Sequence, residues 1–154
     1  MAKELFEIEG LKQLNKNIDL LEKKVAKKVI KKAVREAGKP TILKAARENA
    51  KRLLGGESGK FLAKAITLQP NKKQRKGMFL MMVKPSDKFN DQLTHVSKAG
   101  KASYIPYAIE FGHGNAKPIP ILRQAYLSMK DKAEKLMIAE TLKGIDQAVR
   151  ELPK

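Results

Sequence analysis

The residues able to do chemistry in this chain are few. His95 and His113 are the only two histidines among 154 residues, and there is no cysteine. That excludes a disulfide framework, a zinc ribbon and any thiol chemistry, and it suits a chain made in a reducing cytosol. His113 stands between Gly112 and Gly114, in a loop that could present a ligand. A lone loop histidine is far more often solvent-facing. No H-E-x-x-H pair, P-loop or paired-carboxylate constellation occurs, and Gly112-His113-Gly114 is too short for a dinucleotide fingerprint. A nucleophile would need a positioned base and an orienting group, and neither can be named. The expectation is a non-enzyme with no cofactor, no metal and no small-molecule substrate.

Two ionic residues invite a concrete hypothesis. Glu110 and Arg123 lie at the two ends of a short loop, each among apolar neighbours. An unpaired buried charge is costly. One reading is therefore that they pair, bidentately where geometry allows. The other is that both point to water on opposite sides of the loop. The surrounding stretch, residues 104–126, is the least ordinary part of the chain. An aromatic-rich run ends on Glu110-Phe111-Gly112, a loop over 112–117 needs glycine freedom, and Pro118 and Pro120 stiffen the chain beyond it. Tyr104, Tyr107 and Tyr126 are expected in the core or at an interface.

These residues carry a resemblance. Tyr107-Ala108, then Glu110-Phe111-Gly112, then Pro120, Leu122, Arg123 and Ala125 after a short loop, resemble the signature of the head–tail joining family of long-tailed bacteriophages. These are the neck, tail-completion or tail-component proteins. The family pattern is a Tyr-Ala pair, Glu-Phe-Gly-Thr, and Pro-Phe-Leu-Arg-Pro-Ala before a terminal helix. This chain departs from it at His113, Ile121 and Gln124. Ser58-Gly59 with Leu62 and Ile66 is similar, more weakly, to a further family segment. The resemblance implies a structural virion protein of the phage neck, a subunit of an oligomeric ring that joins head connector and tail. It implies as partners copies of the chain itself, neighbouring neck and tail proteins, and the DNA in the channel. It also implies a location in the virion, and in the host cytoplasm during assembly.

Charge supports a second reading. The formal net charge is +17, which favours polyanionic partners. Much of it sits on one amphipathic pattern. Leu11, Leu14, Ile18, Leu21 and Val25 recur at helical spacing. Beyond them, apolar pairs alternate with Lys23, Lys24, Lys27, Lys28, Lys31, Lys32 and Arg35. Over residues 11–37 such a helix would be roughly 40 Å long with one cationic side. That face could track nucleic-acid phosphates, meet an acidic protein ring, or be a solvated surface. No base-reading motif or aromatic stacking platform accompanies it. The pattern lacks the bulky aromatic anchors of an interfacial membrane helix, no apolar run reaches membrane-span length, and the first ten residues lack a signal-peptide core; no membrane partner is expected.

The elements that position these groups can be read from periodicity. One domain is expected over 1–154, with 42% hydrophobic residues, no tryptophan and 5% aromatics, so the core must be largely aliphatic. Residues 3–9 read as a strand or extended arm. Gly38-Lys39-Pro40 should break or kink the basic helix. A second helix spans about 41–54 and ends at Gly55-Gly56. Residues 57–60 read as a turn, and 61–66 as either a helical turn or the start of a strand. Residues 67–70 and 78–83 form the arms of a hairpin around the basic linker 71–77. The continuous apolar run 78–83 reads as core, with a partner-facing strand as the alternative. Residues 85–103 read as a long loop with one short strand near 92–97. A terminal helix runs over about 120–151, with Gly144 bending it or admitting a close neighbour. The layout is a basic helical region at about 11–54, sheet and loops at about 61–119, and a C-terminal helix. The class is α+β, with long N- and C-terminal helices packed on a small antiparallel sheet.

Overall fold

The computed structural model describes residues 23–73 and 78–151. The arm expected at 3–9, the opening of the basic helix at 11–22, linker residues 74–77, Leu152 and the side chains of Lys23 and Lys24 lie outside the described residues. The α+β class is as expected. Helix α1 (Lys23–Gly38) passes through a π turn (Lys39–Leu43) into α2 (Lys44–Leu54). Then come α3 (Gly56–Ala65), β1 (Ile66–Pro70), β2 (Met81–Pro85), α4 (Asn90–Leu93), β3 (Thr94–Val96), β4 (Ala102–Tyr104), α5 (Ile105–Phe111) and α6 (Ile121–Arg150). Two separate antiparallel pairs, β1–β2 and β3–β4, replace the single sheet.

The frame is an antiparallel helix seam. Val29 of α1 lies against Gly144 of α6, and Asn49 of α2 donates through Nδ2 to the Ile121 carbonyl at 3.2 Å. The N-terminal helical run therefore travels the length of α6 in the opposite sense. The inward positions of that run are small: Ala26, Ala33, Ala37, Ala46 and Ala50 are buried. Small side chains let helix axes approach closely, where many weak dispersion contacts add up. Gly144 admits the neighbour, since a Cβ there would lie 2.7 Å from Val29 Cγ1.

Pro40 does not break the helix. Proline removes one backbone donor and crowds the carbonyl four residues back. Here the chain answers with a turn of wider hydrogen bonding, in which the Lys44 N–H reaches the Lys39 carbonyl. The buried Thr41 hydroxyl donates to the Ala37 carbonyl. The insertion lengthens one step of the buried repeat, so that Ala37, Thr41, Ala46 and Ala50 all stay inside.

Three further expectations need correction. Residues 57–60 are helical within α3, because Gly59 allows α3 to cross α2 at contact: a Cβ there would lie 2.7 Å from the Ala50 carbonyl oxygen. The second hairpin arm is displaced toward its C-terminal end. Ile66 pairs with Pro85 and Pro70 with Met81, while Met78 and Leu80 are exposed rather than core. Residues 85–103 are not a structureless loop. They carry α4 and a second hairpin, whose strand β3 falls within the short strand expected at 92–97.

The main core is aliphatic, as the composition requires. Leu43, Leu62, Ile66, Leu93 and Ile121 meet there with the α2 alanines, and Phe61 packs edge-on to Phe89 with centroids 5.6 Å apart. Arg47 anchors the start of β1, donating through Nε and Nη2 to the Ile66 carbonyl at 3.0 and 2.9 Å. Of the apolar stripe on α6, Ala125 and Ile145 are buried, but Leu142 and Val149 are exposed.

The two close helix contacts should respond differently to a methyl group. Gly59→Ala meets rigid backbone and should cost about 1–3 kcal/mol. Gly144→Ala meets only the Val29 side chain and gains up to about 1 kcal/mol of helix propensity. Urea denaturation should show Gly59→Ala as clearly the more destabilising change.

Candidate interaction site

The stretch around Glu110 is built from the end of α5, a tight loop and the first turn of α6. The sequence displays residues 105–111 only as an apolar run; they form a helix, with Pro106 in its first turn, where its missing N–H costs nothing. Gly112 comes next with φ 80°, and a Cβ there would lie 2.7 Å from the Ala116 oxygen. The loop closes on itself: the Ala116 N–H reaches the His113 carbonyl at 3.0 Å, and the Ile119 N–H reaches the Ile109 carbonyl at 2.7 Å. Pro120 is the N-cap residue of α6 and supplies no side-chain acceptor.

Glu110 supplies it instead. The side chain is buried, and its Oε2 and Oε1 accept from the backbone N–H groups of Leu122 and Arg123, each at 2.9 Å. The expected Glu110–Arg123 side-chain pair is therefore not formed; the partner is the Arg123 backbone. The physical reason is competition. The first turn of a helix carries unsatisfied donors and the positive end of the helix dipole. A carboxylate already held beside it gains two charge-assisted hydrogen bonds without ordering a long guanidinium side chain. The space around Glu110 is walled by Leu62, Ile66, Ile109 and Ile121 and leaves a cavity of only about 10 Å³. That is room for one water at most.

The remaining motif residues divide into two sets. Ala125 is fully buried, Ala108 and Leu122 are half-buried, and Gly112 and Pro120 shape the loop. Tyr107 and Phe111 face outward at 65% and 56% exposure, one helical turn apart, with ring centroids 4.7 Å from each other. The Arg123 guanidinium carbon lies 5.8 Å from the Phe111 centroid, within cation–π range. Tyr126 and Leu127 are also exposed, on the turn of α6 just after Arg123. A groove of about 420 Å³ runs beside them, lined by Pro120, Arg123, Gln124, Leu127 and Ser128. Tyr104, Tyr107 and Tyr126 are therefore not core residues of this chain. His95 and His113 are exposed, and among the described residues no group of three or more His, Asp or Glu is placed to hold a metal ion.

On α1, Lys27, Lys28, Lys31, Lys32 and Arg35 are all exposed, opposite the alanine seam. Lys31 Nζ sits 5.4 Å from the centroid of the Phe79 ring. The surface differs around Asp87: a hydrogen bond from Lys84 at 2.9 Å, with Lys72 beyond it, holds the carboxyl below its ordinary range.

No protein-family model, curated protein or solved structure matches the chain. What sequence reasoning missed was the cap, although a signal for it existed. A helix that opens at Pro120-Ile121 has no capping side chain of its own, so an acceptor must come from elsewhere in the chain.

The exposed aromatic pair contributes little to folding on this geometry. Tyr107→Ala with Phe111→Ala should cost about 1 kcal/mol or less in urea denaturation, the worth of one aromatic contact. Gly112→Ala should cost more, about 1–3 kcal/mol, from its positive φ and its approach to Ala116.

Proposed function

We propose that this chain is a structural subunit of the head–tail joining, or tail-completion, assembly in the neck of a long-tailed bacteriophage. It would act as one protomer of an oligomeric ring between head connector and tail. The observation that carries the reading is the division of labour among the motif residues. Glu110, Gly112 and Ala125 build a rigid corner, and that corner presents Tyr107, Phe111 and Arg123 outward as an aromatic and guanidinium cluster. Such residues dominate the energetics of protein interfaces, and here they stay largely exposed on the chain's own surface. A rigid presenting corner also lowers the ordering cost of docking.

On this reading the protein performs no chemical step. Its work is complementarity of surface, with copies of itself and with neighbouring neck and tail proteins. Its location would be the virion, and the host cytoplasm while particles are being built. The +17 charge opposes self-association through long-range repulsion, so ring formation should strengthen as salt screens it.

Light scattering on the purified protein at low and high salt tests this. The expected mass is several times the 17.2 kDa chain, larger at high salt. The Tyr107→Ala, Phe111→Ala variant should remain folded and fall to the mass of one chain. A wild-type protein monomeric at both salts, or a variant that assembles as well as wild type, would contradict the proposed role of the cluster.

A further inference from the structure

We propose that the outer face of α1 is a phosphate-backbone docking surface for double-stranded nucleic acid, formed by Lys27, Lys28, Lys31 and Arg35. It stands apart from the assembly reading and does not rest on it. The opposite side of α1 is committed: Ala26, Ala33 and Ala37 are buried, and Val29 meets Gly144 of α6. The helix therefore cannot roll, and its basic side is fixed outward.

Charge on this face is also left unspent. The ion pairs among the described residues join Lys39 to Glu36, Lys44 to Glu48, Lys60 to Glu57, and Lys72 and Lys84 to Asp87. None involves Lys27, Lys28, Lys31 or Arg35. No acidic residue occurs between positions 23 and 35. Lys32 is set apart, because it lies on the flank where a groove is shared with Glu36 and Glu140.

The spacing fits a regular polyanion. Lys27, Lys31 and Arg35 recur every four residues, a rise of about 6 Å. Phosphates along one strand of a duplex recur with a fixed axial rise of about 3.4 Å, so a regularly spaced row of cations can meet a regularly spaced row of anions. Lys31 is further oriented by its seat over the Phe79 ring. One feature argues against a lipid surface. No large hydrophobic residue of α1 is exposed among the described residues, and a face of charge without apolar anchors binds interfaces weakly. The absence of an exposed aromatic platform on α1 argues for duplex backbone rather than unpaired bases.

Fluorescence anisotropy with a random-sequence 20-base-pair duplex tests the proposal. Four neutralised phosphates give a log–log salt slope of about −3.6, so affinity should fall about 150-fold between 50 and 200 mM salt. Reversing Lys27, Lys28, Lys31 and Arg35 to Glu should abolish binding at 50 mM. A set with the same charge change, Lys64→Glu, Lys130→Glu, Lys132→Glu and Lys135→Glu on α3 and α6, should retain most of it. Glutamine replacements at the four α1 positions provide the comparison if the glutamate set fails to fold, and should flatten the salt slope. Equal loss in both sets would overturn the proposal, because attraction would then be diffuse. So would absence of duplex binding at 50 mM, or binding to vesicles rich in phosphatidylserine in preference to the duplex.

Discussion

The structure depends on one buried carboxylate. α6 is thirty residues long and opens with a proline at its N-cap; the Ile121 N–H finds the Ile119 carbonyl, but the cap residue offers no side-chain acceptor to the next two amides. Glu110 reaches across the loop and takes both. Removing a carboxylate from water is expensive unless its lone pairs are satisfied. Here they are satisfied by groups that themselves needed partners, so one contact answers two costs. Because the donors belong to residues 122 and 123 and the acceptor to residue 110, the contact also fixes the path of the loop between them.

That fixed corner meets a frame of a different kind. The seam between the N-terminal helical run and α6 relies on alanines and on Gly144 rather than on large side chains. It stays in phase past Pro40 only because the π turn adds a residue to the repeat. α3 is laid across α2 by Gly59 in the same manner. The interior is thus held by close backbone approach, with Ile66 and Ile121 among the few large side chains fully enclosed. A chain with 5% aromatics can still build a defined core in this way, and its exposed aromatics are released for other work.

Much of this was legible in the sequence. Lys23 to Gly38, the terminal helix from Ile121, and the stop at Gly55 are expected from apolar spacing and glycine placement. The hairpin is expected from its turn residues, although its register is not, because the run from Met78 to Val83 does not alternate. Pro40 interrupts the α-helical ladder where the sequence places the interruption, but as a π turn over Lys39–Leu43 and not as a break in the helical run. Glu110 is recognisable in the sequence as a carboxylate needing a partner, but the partner it suggests is the wrong one. A sequence displays side chains, whereas the unsatisfied groups at Leu122 and Arg123 belong to the backbone. Tyr107 and Phe111 are four apart, a spacing that places both on one face once residues 105–111 are known to be a helix. The exposure of that face is decided only by the packing of the opposite side.

The central claim is that Glu110 holds the backbone of α6 and not the Arg123 side chain. A double-mutant cycle on Glu110→Ala and Arg123→Ala, read by urea denaturation, tests it most directly. Loss of two charge-assisted hydrogen bonds and a helix cap predicts about 2–3 kcal/mol for Glu110→Ala. Arg123→Ala should cost no more than about 1 kcal/mol, its contact with Phe111, and the coupling between the two should stay under about 0.5 kcal/mol. An Arg123→Ala cost equal to that of Glu110→Ala, with coupling of similar size, would show that the guanidinium holds the carboxylate and would contradict the account.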